Sequence, residues 1–186
     1  MSREEKLEQG CLLLRLGADC YMRGDLDDAL RQWRKASEVF GEIGEQGGLA
    51  ASLGNQAVIL KDRGDLDGAM KLHKQEEQIF RELGDKAGLA RSLGNQAVIL
   101  KDRGDLDAAM KLHKQEEQIF CELEDVKGLA ISLANQAYLL GLSMGRLREA
   151  VVLAERAYRL ASGHGLVALA GQLKGILDEI RQATDR

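Results

Sequence analysis

The side chains in this 186-residue chain best suited to chemistry are two histidine-glutamate pairs at the same spacing, His73 with Glu76 and His113 with Glu116. Three residues apart on a helix, an imidazole and a carboxylate can reach each other, as an acid-base pair or two metal ligands would require. Neither pair has a third ligand or a nucleophile beside it. The end copies of the same segment carry Trp33 and Ala36, or Ala154 and Ala157, in these places. The expectation is a local His-Glu hydrogen bond in a packed layer, with no catalytic residue, metal or cofactor. The three cysteines, Cys11, Cys20 and Cys121, are odd in number and lack Cys-x-x-Cys spacing, which argues against a disulfide framework and a zinc site. Cys121 stands where the preceding copy has Arg81 and is expected to be an exposed thiol. No Gly-rich phosphate loop follows a strand, so nucleotide binding has no support.

The elements that position these residues are repeated. Residues 52 to 83 and 92 to 123 match at 30 of 32 positions when one is shifted by 40. A period of that size marks a stacked array in which no unit buries its apolar face alone. Arg-Gly-Asp-Leu-Asp occurs at 23 to 27, 63 to 67 and 103 to 107, with a degenerate Gly-Arg-Leu-Arg at 145 to 148. Gly24, Gly64, Gly104 and Gly145 can each end one helix, and Asp25, Asp65 and Asp105 can cap the next. The Arg-Gly-Asp triplets are thereby explained as turns.

Before the turn, Leu49, Leu53, Ala57 and Leu60 form one helical face, repeated in Leu89, Leu93, Ala97 and Leu100. After it, Leu66, Ala69, Phe80 and Leu83 mark the inner stripe of the partner helix. The small Ala29, Ala69, Ala109 and Ala150 allow close approach. Four helical hairpins are predicted, at about 4 to 43, 48 to 84, 88 to 125 and 128 to 163, with a polar-ended capping helix at about 166 to 182, all in a single domain over 1 to 186. A one-residue insertion before Gly145 predicts distortion at the end of the fourth hairpin's first helix.

Composition agrees with an all-α fold: 45% hydrophobic residues, only 4% aromatic, and no Pro. With 26 Lys and Arg against 30 Asp and Glu, the chain lacks the basic excess that nucleic acid demands. No apolar run approaches the ~20 residues that span a bilayer, and the start has no apolar signal core, which points to a cytoplasmic protein without a membrane partner.

Ala57 seven residues before Gly64, Ala69 five after it, and Leu53 and Leu60 around them resemble the tetratricopeptide repeat. The flanking copies add Gly17, Gly24, Ala29, Trp33 and Ala36, and Gly145, Ala150 and Ala157. Ser-Leu-Gly-Asn-Gln-Ala at 52 to 57 and 92 to 97 and Phe-Arg-Glu-Leu-Gly-Asp-Lys at 80 to 86 are similar to the longer repeats of kinesin light chains, Pins-type adaptors and bacterial regulatory ATPases. The resemblance implies a right-handed α-solenoid of four hairpins plus a cap, acting as a binding scaffold for a protein or peptide. Glu76 and Glu116 depart from it, standing where the shorter repeat prefers Ala.

If Leu49, Leu53, Ala57 and Leu60 face the partner helix, then Ala51, Asn55, Val58 and Asp62 lie opposite, since two residues advance ~200° around a helix. That face is expected to line a concave groove. Its members elsewhere are Arg91, Asn95, Val98 and Asp102, then Ile131, Asn135 and Tyr138, while the first repeat offers Cys11, Arg15, Ala18 and Met22. An Asn carboxamide can donate to a peptide carbonyl and accept from its amide at once. Asn55, Asn95 and Asn135 could therefore clasp an extended peptide, as side-chain amides at matching positions of tetratricopeptide domains do, or else bridge adjacent helices. Ala51, Arg91 and Ile131 vary on the same face and are candidates for specificity. Arg15 and Arg91 alternating with Asp62 and Asp102 suit a partner of mixed charge. The alternatives are a regulatory segment of a larger signalling protein, or a structural array, natural or engineered, that self-associates through Leu12, Leu13, Leu14 and Leu16. A monomer or a weak homo-oligomer is expected.

Overall fold

The computed structural model describes residues 1–184, Leu142 by its backbone alone. Among the described residues there are nine α-helices and no strand: α1 (Arg3–Met22), α2 (Leu26–Ile43), α3 (Gln46–Asp62), α4 (Leu66–Leu83), α5 (Lys86–Asp102), α6 (Leu106–Glu122), α7 (Val126–Tyr138), α8 (Leu147–Gly163) and α9 (Val167–Thr184). A five-residue π-helix, Leu139–Ser143, extends α7. Odd-numbered helices up to α7 are the first members of the hairpins and even-numbered ones the second.

The turns arise where the sequence places them. Gly64 and Gly104 adopt φ of +82° and +85°, in the left-handed region where a side chain is unfavourable. The helix that follows begins on a side-chain cap, because its first N–H groups have no partner within the helix. Asp65 Oδ1 accepts from the Gly68 amide at 2.9 Å, and Asp105 Oδ1 from the Ala108 amide at 3.1 Å. Asp25 departs from this expectation. It makes no capping bond, and its carboxylate instead pairs with Arg23 Nε at 3.4 Å. At the start of the chain Ser2 and Glu5 form a reciprocal capping box on α1.

The chain divides into two compact units, Met1–Ser92 and Leu93–Arg186. In the first, Cys20, Ala29, Leu30, Trp33 and Ile59 form one apolar cluster, and Ala50, Ile79 and Phe80 another. Side chains of this size contribute about 1.5–3 kcal/mol each when fully buried, so a few of them dominate the stability of a hairpin. In the second unit, Ala97, Ala109 and Leu139 form one cluster, Ala137, Leu140, Ala150, Ala154, Leu177 and Ile180 a second, and Ala130, Leu133, Ala157, Ala161 and Leu173 a third.

Ala29, Ala69, Ala109 and Ala150 are all fully buried, as close approach of paired helices requires. Leu83 is not part of the inner stripe, being 50% exposed. Phe80 already closes that seam, and Leu83 occupies the final position of α4, one turn beyond it. The first helices also bury more than one face. In the first unit α3 packs against both α4 and α2, so Ser52 and Gln56 are buried in addition to Ala57.

The insertion before Gly145 appears as the π-helix. There the Met144 amide bonds back to the Leu139 carbonyl at 3.1 Å, a five-residue step that absorbs one extra residue while the backbone stays hydrogen-bonded.

Candidate functional site

The two His-Glu pairs are internal, and their bonds are those the spacing predicts. His73 Nδ1–H donates to Glu76 Oε2 at 2.7 Å, and His113 Nδ1–H to Glu116 Oε2 at 2.8 Å. All four residues are buried. Backbone around each pair is tied to the next first helix: Ser92 Oγ donates to the His73 carbonyl at 3.0 Å, and Ser132 Oγ to that of His113 at 3.2 Å. Space for each carboxylate comes from a glycine across the seam, since a Cβ added at Gly54 would collide with Glu76, and one at Gly94 with Glu116. The pairs are satisfied polar packing. No group of three or more metal-ligating side chains occurs among the described residues.

The candidate binding residues lie on first helices, away from these seams. In the first unit Arg15 on α1, Asp62 on α3 and Arg91 on α5 are exposed, while Asn55 and Val58 on α3 are half-buried. Asp62 pairs with its neighbour Lys61 at 3.0 Å. Arg15 and Arg91 make no ion pair among the described residues.

In the second unit Asn95 and Asp102 on α5 and Ile131 and Tyr138 on α7 are exposed, with Val98 and Asn135 half-buried. Here the fold brings members of the set together from two helices. Lys101 Nζ sits 5.6 Å from the centre of the Tyr138 ring, within cation-π range. The same ammonium pairs with Asp102 at 3.2 Å. The carboxamides of Asn95 and Asn135 make no hydrogen bond among the described residues. Lys101 is the member that sequence reasoning missed; its signal is only its place beside Asp102, on a face shared with the helix edge.

The second unit also holds an open cleft of about 410 Å³ between α6, α7 and α8, with Met110, Leu140 and Leu153 among its lining. Its charges largely satisfy one another. Arg156 Nη1 pairs with Glu117 at 3.0 Å, and Arg146 holds Glu149 through two bonds of 2.6 and 2.7 Å. The hydrogen bond to Arg146 holds the Glu149 carboxyl below its ordinary range, and Glu149 in turn raises Arg146.

The tetratricopeptide repeat model matches residues 8–82 and 49–122, together more than half of the chain. The protein belongs to the tetratricopeptide repeat family. Proteins of this family are typically interaction scaffolds and generally not enzymes. Comparison with curated protein sequences returned no match. Among solved structures, this tetratricopeptide chain is similar to BtubC (BKLC) from P. vanneervenii, with a TM-score of 0.76 and 20% identity over 84% of this chain and 64% of that one. It thus spans just under two thirds of that protein. A putative kinesin light chain from Podosopora anserina with nearly identical repeats aligns over 100% of this chain and 99% of its own, at 17% identity and a TM-score of 0.65. The apo form of RapI aligns over 96% and 85%, at 12% identity and a TM-score of 0.70. At these identities the likeness establishes the fold. Among the described residues no helix is long and apolar enough to cross a membrane.

Proposed function

We propose that this tetratricopeptide repeat chain is a non-enzymatic scaffold that holds an extended segment of a partner protein on the outward faces of its first helices. The observation that carries the reading is the pair of carboxamides on exposed Asn95 and half-buried Asn135, which make no hydrogen bond among the described residues, in the unit where Lys101 lies over the Tyr138 ring. A free carboxamide offers a donor and an acceptor together, which matches the backbone of an extended peptide. Asn55 occupies the same repeat position in the first unit. Apolar Val98, Ile131 and Tyr138 supply area for side chains, and Arg15, Arg91, Asp62 and Asp102 supply selectivity by charge. The variation of Ala51, Arg91 and Ile131 at one repeat position makes that position the setter of specificity.

The test is affinity capture of partners with the native chain, followed by titration of the captured segment against Asn95→Ala/Asn135→Ala. The expected result is affinity weakened about tenfold or more with the melting temperature little changed, since each amide contributes about 1 kcal/mol to a bond it makes. A double variant that melts far lower yet binds its partner as before would assign the Asn residues to the fold and refute the reading.

A further inference from the structure

We propose that the open cleft between α6, α7 and α8 is a second docking site, one that takes an aliphatic side chain of a partner protein together with a carboxylate on an adjacent residue. It is separate from the first-helix face assigned to an extended segment and stands whether or not that reading does.

Two features set the fourth hairpin apart from the other three, and both meet at this cleft. The first is the π-helix that follows α7, which has no counterpart after α1, α3 or α5. Its second residue, Leu140, lines the cleft. The second feature is Val152. Counting the inserted residue, the other second helices carry Arg31, Lys71 and Lys111 at this position, all exposed cations. Here the cleft wall holds a valine that is 61% exposed. Together with Met110 and Leu153, these residues give the 410 Å³ cleft an apolar bed, in the size range of ligand sites.

Hydrogen-bonding capacity decides what the rim can take. Every oxygen of the two lining carboxylates already has a donor. Glu117 Oε1 accepts from Arg156 at 3.0 Å and Oε2 from Gln136 at 2.9 Å, while Arg146 donates one bond to each oxygen of Glu149. Donors, in contrast, are left over. Lys114 acts on Glu149 at a distance but makes no hydrogen bond or ion pair among the described residues. Arg156 spends one of the five N–H groups of a guanidinium. Such a rim selects an acceptor, and an anionic one most strongly.

Charge along the two flanking helices points the same way. Lys111 lies one turn before Lys114 and Arg159 one turn after Arg156, both exposed and neither in an ion pair among the described residues. The carboxylates nearby in sequence are occupied, Glu116 by His113 and Glu155 by Arg181 at 2.7 Å. Asp107 adds its charge beside Arg146, at the other end of the lining. The positive surplus therefore belongs to Lys114 and Arg156, the latter one turn along α8 from Val152. A polypeptide crossing the cleft covers the bed and brings its carboxylate with it. A free fatty acid fits less well, because an acyl chain lying in an open cleft keeps much of its surface in water.

The experiment uses the full chain and a labelled dodecapeptide with Glu-Leu-Glu at its centre, beside controls with Lys-Leu-Lys and Glu-Ser-Glu. Fluorescence anisotropy is expected to show the first peptide binding about tenfold or more tightly than either control. Lys114→Glu should weaken that binding about tenfold and shift the preference toward the Lys-flanked peptide, and Val152→Ser should weaken it severalfold. Both residues are exposed, so circular dichroism should not change. Asn95→Ala/Asn135→Ala should bind the peptide as the native chain does. No binding to the native chain, equal binding of Glu-Ser-Glu, or full affinity in Lys114→Glu would each overturn the proposal. So would loss of binding in the Asn variant, which would move the peptide to the first-helix face, or decanoate binding where the Glu-Leu-Glu peptide does not, which would give the cleft to a lipid.

Discussion

In the second and third hairpins a glycine on the first helix faces a glutamate on the second, Gly54 with Glu76 and Gly94 with Glu116; in the fourth, Ala134 and Ala157 share one apolar cluster at the same crossing. The middle hairpins complete the exchange with a histidine three residues before each glutamate, where the fourth has Ala154. The glycine makes room for the larger glutamate, where the fourth hairpin pairs two side chains of intermediate size. A buried carboxylate is tolerated there because it has a hydrogen-bond donor within its own helix and a missing Cβ opposite. The departure of Glu76 and Glu116 from the small residue expected of the family is thus explained by residues 22 positions earlier in the chain.

The largest effect should come from undoing that exchange. Gly54→Ala drives a methyl into the Glu76 carboxylate and should cost about 3 kcal/mol in urea unfolding. Adding Glu76→Ala, which restores the two-alanine crossing of the fourth hairpin, should cost less than the sum of the two single losses, because the new methyl no longer meets a carboxylate. Simple addition of the two penalties would contradict the explanation that the glycine makes room for the glutamate. Next in size, Glu76→Gln keeps the shape but replaces a charge-assisted bond by a neutral one, and a loss of about 1–2 kcal/mol is expected, with the same figure for Glu116→Gln.

A second difference concerns the turns between hairpins. Gly84 ends α4 at φ +69°, whereas its counterpart after α6 is Glu124, the one non-glycine residue at positive φ among those described, at +53°. Glu124→Gly should therefore stabilise the protein by about 1 kcal/mol, and Gly84→Glu should destabilise it by a similar amount, both readable as shifts in melting temperature. The smallest effect lies beside the π-helix. Because Arg146 holds the Glu149 carboxyl below its ordinary range, the pair's contribution is full at neutral pH and fades as pH falls through the depressed value. Arg146→Ala should return the Glu149 titration toward the usual carboxylate range by NMR, with almost no change in stability.

Much of the fold was legible because its signals are local. Gly64 and Gly104 in a repeated pentapeptide mark turns by their own conformational preference, and an extra residue ahead of Gly145 had to distort something nearby. The His-Glu bonds followed from spacing within one helix. What stayed hidden was chosen by neighbours distant in sequence. Nothing near Ser52 and Gln56 in the sequence says that α2 packs against α3 and buries them, and nothing near Gly54 says that Glu76 will lie opposite it. Asp25 matches Asp65 and Asp105 in sequence, yet its pairing with Arg23 takes the carboxylate that the others spend on a cap. The candidate site was legible only as a face, because helical geometry assigns sides but does not say that Lys101 will lie over Tyr138.

The most direct test of the binding account is side-chain amide NMR of the labelled chain during titration with a captured partner segment. Partner recognition by the first helices predicts that the Asn95 and Asn135 carboxamide signals move as the segment saturates. Signals that stay fixed at saturation, with the changes falling instead on α6 and α8, would contradict it.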